Sequence, residues 1–298
     1  MTDSDAQTNP KLQSQLRLVA EAIEDQYEKT DETFRFKGVC PGLASGYVGI
    51  DNVISGFHPG DLIVIAGRPN MCADSLAMGI ASNVVFNGTA VKYFSMSKTS
   101  IRLTQHLLAS ASRLSMRKIV TGNLEDDDFP DLTHGLGKLS QAPLELLDST
   151  SLEWSVCQLE EHVANDPSTT GLLVVEDIHL LDVTNVSSSY DRNIQLGEQV
   201  RQLKKMAMRL GFPILVTASL NREPELRPNK RPVMRDLRDI GMLEDIADVV
   251  LLMYRDEVYN PDSSDKGLVE VIVAKQPRGP TGTIMLYFIE ESCCFIDI

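Results

Sequence analysis

The sequence predicts an α/β fold in which a central, mainly parallel sheet is flanked by helices, with an antiparallel extension at the C-terminal end and a helical arm at the N-terminal end. Short apolar runs predict strands that are buried on both faces. Helical patterns alternate with these runs, as the crossover connections of a parallel sheet require. The chain has 298 residues, of which 43% are hydrophobic, and this is enough to bury one large core.

The N-terminal arm comes first. We predict a disordered tail at 1–9, a linker helix and its connection at 10–37, and the main domain at 38–298. Residues 11–28 have the spacing of an amphipathic helix, whose apolar stripe consists of Leu12, Leu16, Val19, Ile23 and Tyr27. A short helix with one apolar face must pack against something, either a neighbouring subunit or its own domain.

The strands and helices of the main domain follow in alternation. Strands are predicted near 61–66, 90–95, 171–176, 213–218 and 248–253, with a further strand at 144–147. Helices are predicted at 75–86, 101–113, 152–164 and 194–210. The segment 267–298 has the pattern of antiparallel strands around a turn at 277–280.

The segment 62–75 is laid out like a phosphate-binding loop. An apolar run, a loop that Gly67 opens and a helical pattern give the strand–loop–helix context of the motif G-x-x-x-x-G-K-[ST]. Counted from Gly67, the second glycine falls on Cys72, the lysine on Ala73 and the magnesium-binding hydroxyl on Asp74. The residues that would hold a phosphate have therefore been replaced.

These replacements act against an anionic ligand. Cys72 puts a side chain where backbone must approach the phosphates, Ala73 removes a cation, and Asp74 adds a negative charge. Two like unit charges about 4 Å apart repel by ~4 kcal/mol at an effective dielectric of 20. Asp74 is expected to cap the helix that begins near Ser75, so that the chain fills its own phosphate site. The alternative is an ordinary strand-to-helix turn that never bound a ligand.

Several blocks along the chain carry a family resemblance. The block 254–259 matches at all six of its residues, and the others lie at 45–47, 50–51, 66–71, 220–222, 230–233, 236–238 with Gly241, 275–276, 279–280 and 282–283. From Gly38 onwards the chain resembles the C-terminal motor domain of DnaB-type replicative DNA helicases, a RecA-like P-loop NTPase fold. The resemblance implies ATP and magnesium as ligands, assembly into a hexameric ring and single-stranded DNA in its central channel.

The resemblance also assigns positions around the nucleotide, and most of them are altered. Ser97 replaces the glutamate that polarises the attacking water, Glu176 followed by Asp177 replaces the magnesium-binding aspartate, and Ser219 stands in the serine–glutamine sensor pair. The degenerate nucleotide site therefore consists of Gly67, Arg68, Asn70, Met71, Cys72, Ala73, Asp74, Ser75, Ser97, Glu176, Asp177 and Ser219. Phosphoryl transfer depends on positioning and charge neutralisation, so we expect no ATP hydrolysis, assign no catalytic residue and predict no cofactor or metal.

Two further sets of positions come from the resemblance. Family members carry a lysine and an arginine two residues apart, which reach the nucleotide of the adjacent subunit. Here Lys275 and Arg278 are three apart, with Pro277 between them, and only a register shift would restore the arginine. Arg238 and Gly241 match a loop that meets single-strand phosphates, although the same residues suit a plain helix-entry turn.

Charge and composition limit the function classes. The net charge of −14 weighs against a strong electrostatic hold on nucleic acid, so any binding of single-stranded DNA is expected to be weak and salt-dependent. No run of 18 apolar residues and no signal-peptide pattern is present, which predicts a cytoplasmic protein without a membrane span. The five cysteines have no metal-ligand spacing and are expected to be reduced.

Two functional hypotheses follow. The first is a DnaB-like pseudo-ATPase that acts through protein–protein contacts, as a regulator, loader or inhibitor of a replicative helicase or as a structural ring subunit. Its N-terminal helix would then serve self-association or association with the helicase. The second is an ATP-dependent replicative helicase, or a single-strand DNA-binding motor, that keeps residual nucleotide binding. The lost catalytic residues favour the first, and a decayed remnant without a role is a third interpretation.

Overall fold

The computed structural model describes residues 23, 40–148, 154–165, 170–181, 192–238 and 242–298. The chain divides into two compact units, Met1–Pro41 and Gly42–Ile298. In the first unit, Ile23 is helical and its side chain is exposed. The predicted tail at 1–9 and four members of the apolar stripe lie outside the described residues, namely Leu12, Leu16, Val19 and Tyr27.

The second unit contains a nine-stranded sheet in the order β3-β2-β4-β5-β1-β6-β7-β8-β9. Its strands are β1 Leu62–Gly67, β2 Val91–Ser95, β3 Leu144–Asp148, β4 Leu172–Glu176, β5 Ile214–Ser219, β6 Val249–Tyr254, β7 Leu268–Lys275, β8 Gly282–Ile289 and β9 Cys294–Asp297. Strands β1 to β6 pair in parallel, and β7 to β9 continue the sheet in antiparallel pairs. The predicted α/β fold, with a mainly parallel sheet and a C-terminal antiparallel extension, is confirmed.

Helices cover both faces of this sheet. They are α1 Val48–Ile54, α2 Ala73–Phe86, α3 Ser100–Ser112, α4 Met116–Thr121, α5 Phe129–Ser140, α6 Val156–Ala164, α7 Arg192–Leu210, α8 Glu223–Leu226, α9 Leu243–Ile246 and α10 Asp256–Tyr259. Short 3-10 turns lie at Asp126–Asp128, Ile178–Leu180 and Met234–Leu237. Among the described residues, no helix combines the length and the apolar character that a membrane crossing needs.

Two apolar layers form the core because successive strand residues point to opposite faces. In β1, Ile63 and Ile65 pack with α1, α2 and α3 on one face. Leu62 and Val64 pack with α6 and α7 on the other face. Each of β1, β2, β4 and β6 is buried along its whole length, as the continuous apolar runs predict.

The predicted helices differ from the observed ones mainly at their starts. Helix α2 begins at Ala73, two residues before the predicted start. Helix α6 begins at Val156 because Ser155 forms a capping box with Gln158, in which the Ser155 hydroxyl accepts from the Gln158 N–H and the Gln158 side chain accepts from the Ser155 N–H. The end of each helix agrees with the prediction within one residue.

Candidate functional site

The candidate site lies where parallel strands end at the carboxyl edge of the sheet. Gly67 at the end of β1 pairs with Ser219 at the end of β5, and Ser95 at the end of β2 pairs with Glu176 at the end of β4. A cavity of about 720 Å³ opens beside these ends, lined by the loop after β1 and by side chains of α3 and α4. Open α/β sheets bind ligands at this edge.

The loop between β1 and α2 has the backbone of a tight turn. Asn70 and Cys72 both adopt the left-handed conformation, with φ of 69° and 63°. Met71 is turned inward, and its sulfur accepts a hydrogen bond from the Arg255 backbone N–H at 3.1 Å. A Cβ on Gly67 would lie only 3.0 Å from Cβ of Met71 and 3.3 Å from Cβ of Met253, so a larger residue there would crowd both methionines.

Arg68 fixes the outer side of the same loop. Its Nε donates to Oε1 of Glu225 at 2.8 Å, and its Nη1 donates to the Leu220 carbonyl oxygen at 2.8 Å. The guanidinium is therefore committed to the chain itself. Arg68 lines the cavity but has its strongest polar contacts outside it.

Cys72 occupies the position of the second glycine and lies half-buried. Arg255 donates from Nη1 to Sγ of Cys72 at 3.0 Å and to the Asn70 carbonyl oxygen at 3.3 Å. Burial raises the pKa of the Cys72 thiol to about 11, although the nearby guanidinium favours the thiolate. A left-handed backbone costs a side-chain-bearing residue roughly 1–2 kcal/mol, so the loop keeps a glycine-type conformation without the glycine.

The prediction that Asp74 caps α2 is wrong. The N-cap residue is Cys72, and its side chain makes no capping hydrogen bond. Because the helix begins at Ala73, Asp74 lies in its first turn, and its carboxylate accepts from the Thr217 hydroxyl at 2.9 Å and from Nζ of Lys98 at 3.0 Å. Asp74 therefore joins α2 to the ends of neighbouring strands instead of holding the backbone N–H groups of its own helix.

Lys98 completes what we call the carboxylate–lysine cluster, formed by Asp74, Lys98 and Glu176. Lys98 makes ion pairs with both carboxylates. The Glu176 carboxylate is fully buried, accepts from the Tyr93 hydroxyl at 3.1 Å and lies 3.5 Å from the Ser97 hydroxyl. Sequence reasoning missed Lys98, for which the only signal is a cation directly after a buried strand at the ligand-binding edge.

The ionisation of the cluster follows from burial and charge. Burial lowers the pKa of Lys98, but the attraction of Asp74 and Glu176 together outweighs it and the pKa is raised. Burial raises the pKa of Glu176, opposed by the attraction of Lys98 and reinforced by the repulsion of Asp74. The ammonium is therefore held in its charged form between two carboxylates.

The remaining predicted residues of this site surround the same cavity. Asp177 has a left-handed backbone, with φ of 63°, and its N–H donates to the Thr217 hydroxyl at 2.9 Å. Burial raises the pKa of Asp177. Ser219 donates its backbone N–H to the His179 ring at 3.1 Å, and Ser75 lies on the cavity wall. Within the described part of the chain, no group of three or more His, Cys, Asp or Glu side chains is arranged to bind a metal ion.

The two candidate trans-acting residues lie away from this cavity and have partners within the chain. Nζ of Lys275 donates to the carbonyl oxygens of Glu244 and Asp245, at 2.9 and 2.8 Å. Arg278 forms a bidentate ion pair with Asp61, in which both N–O distances are 2.8 Å. Asp61 precedes β1, so this pair lies at the amino edge of the parallel strands, opposite the cavity.

The candidate DNA loop lies away from the cavity and shares a neighbour, Glu244, with Lys275. Arg238 is exposed, and its Nε lies 3.3 Å from Oε1 of Glu244. Gly241 lies outside the described residues. Arg238 shares the rim of a shallow depression of about 550 Å³ with three further arginines, which are Arg227, Arg231 and Arg235.

Comparison with known proteins places this geometry in a family. The model of the DnaB-like helicase C terminal domain matches residues 42–297. The replicative DNA helicase DnaB of Geobacillus stearothermophilus is 31% identical over 281 residues, which cover 94% of this chain and 62% of that protein. The replicative DNA helicase DnaC of Bacillus subtilis is 29% identical over 289 residues, which cover 97% of this chain and 63% of that protein. The chain thus spans a little under two thirds of the length of these relatives.

Solved structures give the same result. A protein solved as an isolated ATPase domain superposes with a TM-score of 0.88 at 28% identity, and the match covers 94% of this chain and 99% of that domain. A DnaB-like replicative helicase, described together with its interactions with primase, superposes with a TM-score of 0.85 at 28% identity. That match covers 95% of this chain and 67% of the helicase chain.

Proposed function

The chain belongs to the family of DnaB-like helicase C-terminal domains, and from this premise we propose that it is a non-catalytic member that acts in DNA replication through contacts with other proteins. It would serve as a regulator, loader or inhibitor of a replicative helicase, or as a structural subunit of a ring. The relatives named above are replicative helicases. The proposed difference from them rests on the nucleotide site.

One observation carries the proposal: the carboxylate–lysine cluster stands where a family member needs groups for magnesium and the triphosphate. Ala73 offers no cation, and Asp74 presents a carboxylate in place of a metal-binding hydroxyl. A phosphate group about 4 Å from that carboxylate is opposed by ~4 kcal/mol per pair of unit charges at an effective dielectric of 20. The residues present do not fit magnesium–ATP.

The groups that would act on ATP are also missing or engaged. Ser97, at the position of the water-polarising glutamate, has a hydroxyl 3.5 Å from Glu176 and is no base at neutral pH. Lys275 and Arg278 are both held by acceptors of their own chain. Phosphoryl transfer needs charge neutralisation at the transferred group, and each of these changes removes part of it.

The first prediction concerns ATP turnover. We expect phosphate release from magnesium–ATP by this protein to equal that of its Glu176→Ala variant, because no group remains that assists the transfer. Release of phosphate is measured with and without single-stranded DNA, with the Bacillus subtilis relative as the positive control. A turnover clearly above that of the variant, in a sample free of other ATPases, would refute the proposal.

The partner surface is proposed to be the N-terminal helix. We retain the division into a tail at 1–9, a linker helix and connection at 10–37 and a helicase domain at 38–298 as part of the proposal. Its support is the apolar spacing of that helix together with Ile23, which is helical and 62% exposed. An exposed isoleucine on such a stripe is suited to a second copy of the chain or to a replicative helicase subunit.

Weak binding of single-stranded DNA is a second proposed activity. It is supported by the exposed side chains of Arg235 and Arg238 at the rim of the arginine-lined depression. A net charge of −14 opposes it, so binding should be weak. Because the arginines would contact phosphates, binding should also fall steeply with added salt. A DNA affinity that salt leaves unchanged would speak against phosphate contacts of these arginines.

A further inference from the structure

The carboxylate–lysine cluster connects three separate elements. Asp74 comes from the first turn of α2, Lys98 from the segment after β2, and Glu176 from the last position of β4. Nζ of Lys98 lies 3.0 Å from Asp74 and also contacts Glu176. One ammonium therefore fixes the loop and helix start against the ends of two strands.

The buried carboxylate needs this cation. Glu176 has no solvent-exposed side-chain surface, while Lys98 keeps 22% of its own exposed. A buried carboxylate without a counter-charge is strongly unfavourable. The hydroxyl groups of Tyr93 and Ser97, which also contact Glu176, are neutral donors. Lys98 is thus the group that supplies the counter-charge of the buried Glu176.

We infer that Lys98 is a built-in cation that takes the place of a bound metal ion. Its ammonium holds the loop after β1 and the strand ends in position without metal or nucleotide, and it excludes divalent cations from the cavity. This inference rests on the proposed non-catalytic role, and it gives a physical reason why the site would not bind magnesium. The charge that holds the loop and the strand ends is part of the chain, so its presence does not depend on the concentration of metal or ATP. The conformation of the site is therefore constant.

The inference predicts what removal of the ammonium leaves behind. The carboxylates of Asp74 and Glu176 would remain beside the hydroxyls of Ser97 and Thr217. Carboxylate and hydroxyl oxygens are ligands suited to magnesium and manganese. A variant without the Lys98 charge should therefore gain a response to divalent cations that the natural chain lacks.

The test compares thermal unfolding of the full chain and of Lys98→Met, each in EDTA and in about 10 mM magnesium chloride. The melting temperature of Lys98→Met should be lower in EDTA and rise by about 2 °C or more with magnesium, as a ligand that binds only the folded state requires. The melting temperature of the natural chain should not respond. Adding Asp74→Asn to Lys98→Met should abolish the response.

Lys92→Met is the matched control. Lys92 lies on β2, is 7% exposed and pairs with Glu145 at 3.0 Å, away from the cluster. Its removal also deletes a buried ammonium, yet it should produce no magnesium response. A response equal to that of Lys98→Met would show a general charge effect and overturn the inference.

Equilibrium dialysis of the natural chain with manganese chloride keeps the inference testable if Lys98→Met fails to fold. We expect no manganese bound at the cluster, and one bound ion that Asp74→Asn removes would overturn the inference. A folded Lys98→Met variant whose melting temperature does not change with magnesium would also overturn the inference, but it would not affect the proposed absence of ATP turnover. If magnesium–ATP stabilises the natural chain and Lys98→Met loses this effect, Lys98 is a phosphate ligand and the inference fails.

Discussion

At the scale of single residues, Cys72 shows how the loop after β1 keeps a glycine-type backbone with a different residue at that position. Its backbone remains left-handed, as a glycine at this position would allow without strain. Its thiol packs beside Arg255 and is half-buried. The side chain thus occupies space at the cavity wall that a bare backbone would leave open.

The raised pKa of Cys72 predicts low reactivity. With a pKa of about 11 instead of 9.0, the thiolate fraction at pH 8 is about 100-fold smaller than that of an ordinary thiol. Because a more basic thiolate is also more nucleophilic, the rate falls less than the thiolate fraction, and iodoacetamide should label Cys72 at least about 10-fold more slowly than the exposed Cys157 in the native chain, as followed by peptide mass spectrometry. The two should react alike in concentrated urea, and equal native rates would contradict the prediction.

The same shift sets a pH dependence of stability. Below pH 9 the Cys72 thiol is protonated in both the folded and the unfolded chain. Between pH 9 and about 11 the unfolded chain releases this proton while the folded chain retains it, so the contribution of Cys72 to stability is lost as the pH rises.

The sequence identified which positions lie at the site, but it did not predict which of their side chains contact each other. It identified the loop, Asp74 and Glu176 as altered positions, and all three lie at the cavity or the cluster. It did not predict that Lys98 would bridge the two carboxylates, because that depends on the register of β2 against β4. The assignment of Asp74 as a cap failed for the same reason, since its partners come from distant parts of the chain.

At the scale of elements, the turn between β7 and β8 is tied to the start of β1. Arg278 leaves this turn and forms its bidentate pair with Asp61, which is only 6% exposed. Asp61 also accepts from the His58 N–H at 3.0 Å. The antiparallel extension is thereby fastened to the start of β1, the middle strand of the nine-stranded sheet, across 217 positions of sequence.

Removing this ion pair should destabilise the domain. We expect Arg278→Ala to lower the free energy of unfolding by about 2 kcal/mol, below the range for fully buried pairs because Arg278 is partly exposed. Urea unfolding followed by circular dichroism measures the change. Arg235→Ala, at an exposed arginine, is the control and should change it by less than about 0.5 kcal/mol. Equal effects would show that Arg278 contributes no more than a surface charge.

Strands were easier to predict than the surface helices. Each of the strands β1, β2, β4, β5 and β6 was predicted within one residue, because burial on both faces produces a continuous apolar run. Helices α4 and α5 were not predicted. Among the described residues, α4 is six residues long and has no buried side chain. Helix α5 has leucines at helical spacing, Leu132, Leu136 and Leu139, but Pro130, Gly135 and Gly137 lie among them, and these residue types are typical of turns.

At the scale of the whole molecule, the chain combines a helicase-type fold with an acidic surface and an exposed apolar residue in its N-terminal unit. The match to the family extends over residues 42–297. The net charge of −14 makes a protein partner a better candidate than nucleic acid for the main contact. Assembly is therefore the property that best separates the proposed role from that of a motor.

We predict that this protein and the replicative helicase of its own host form a complex when they are mixed without nucleotide, with a mass that differs from that of either protein alone. Multi-angle light scattering should show a mixed species, because an apolar helix face is stabilised by burial against a partner. Leu16→Asp and Ile23→Asp should abolish this species. Leu226→Asp replaces a leucine that is 79% exposed on the helicase domain, and as the control it should leave the mixed species intact.

If each protein keeps its own mass when the two are mixed, the partner proposal loses its main support. The mass of the chain alone would then decide the next step. A self-assembled ring would justify a test with single-stranded DNA, while a monomer would oppose both the ring-subunit and the motor interpretations.

The carboxylate–lysine cluster also constrains how this chain can change by mutation. Ala73 and Lys98 line the same cavity, so Ala73→Lys alone would bring a second ammonium close to the first. Loss of Lys98 alone would leave the buried Glu176 carboxylate without its counter-charge. Loss of Lys98 therefore lowers stability unless a second substitution supplies another counter-charge. Because the effect of a substitution at Lys98 depends on the two carboxylates beside it, we expect changes at these three positions to be tolerated only in combination.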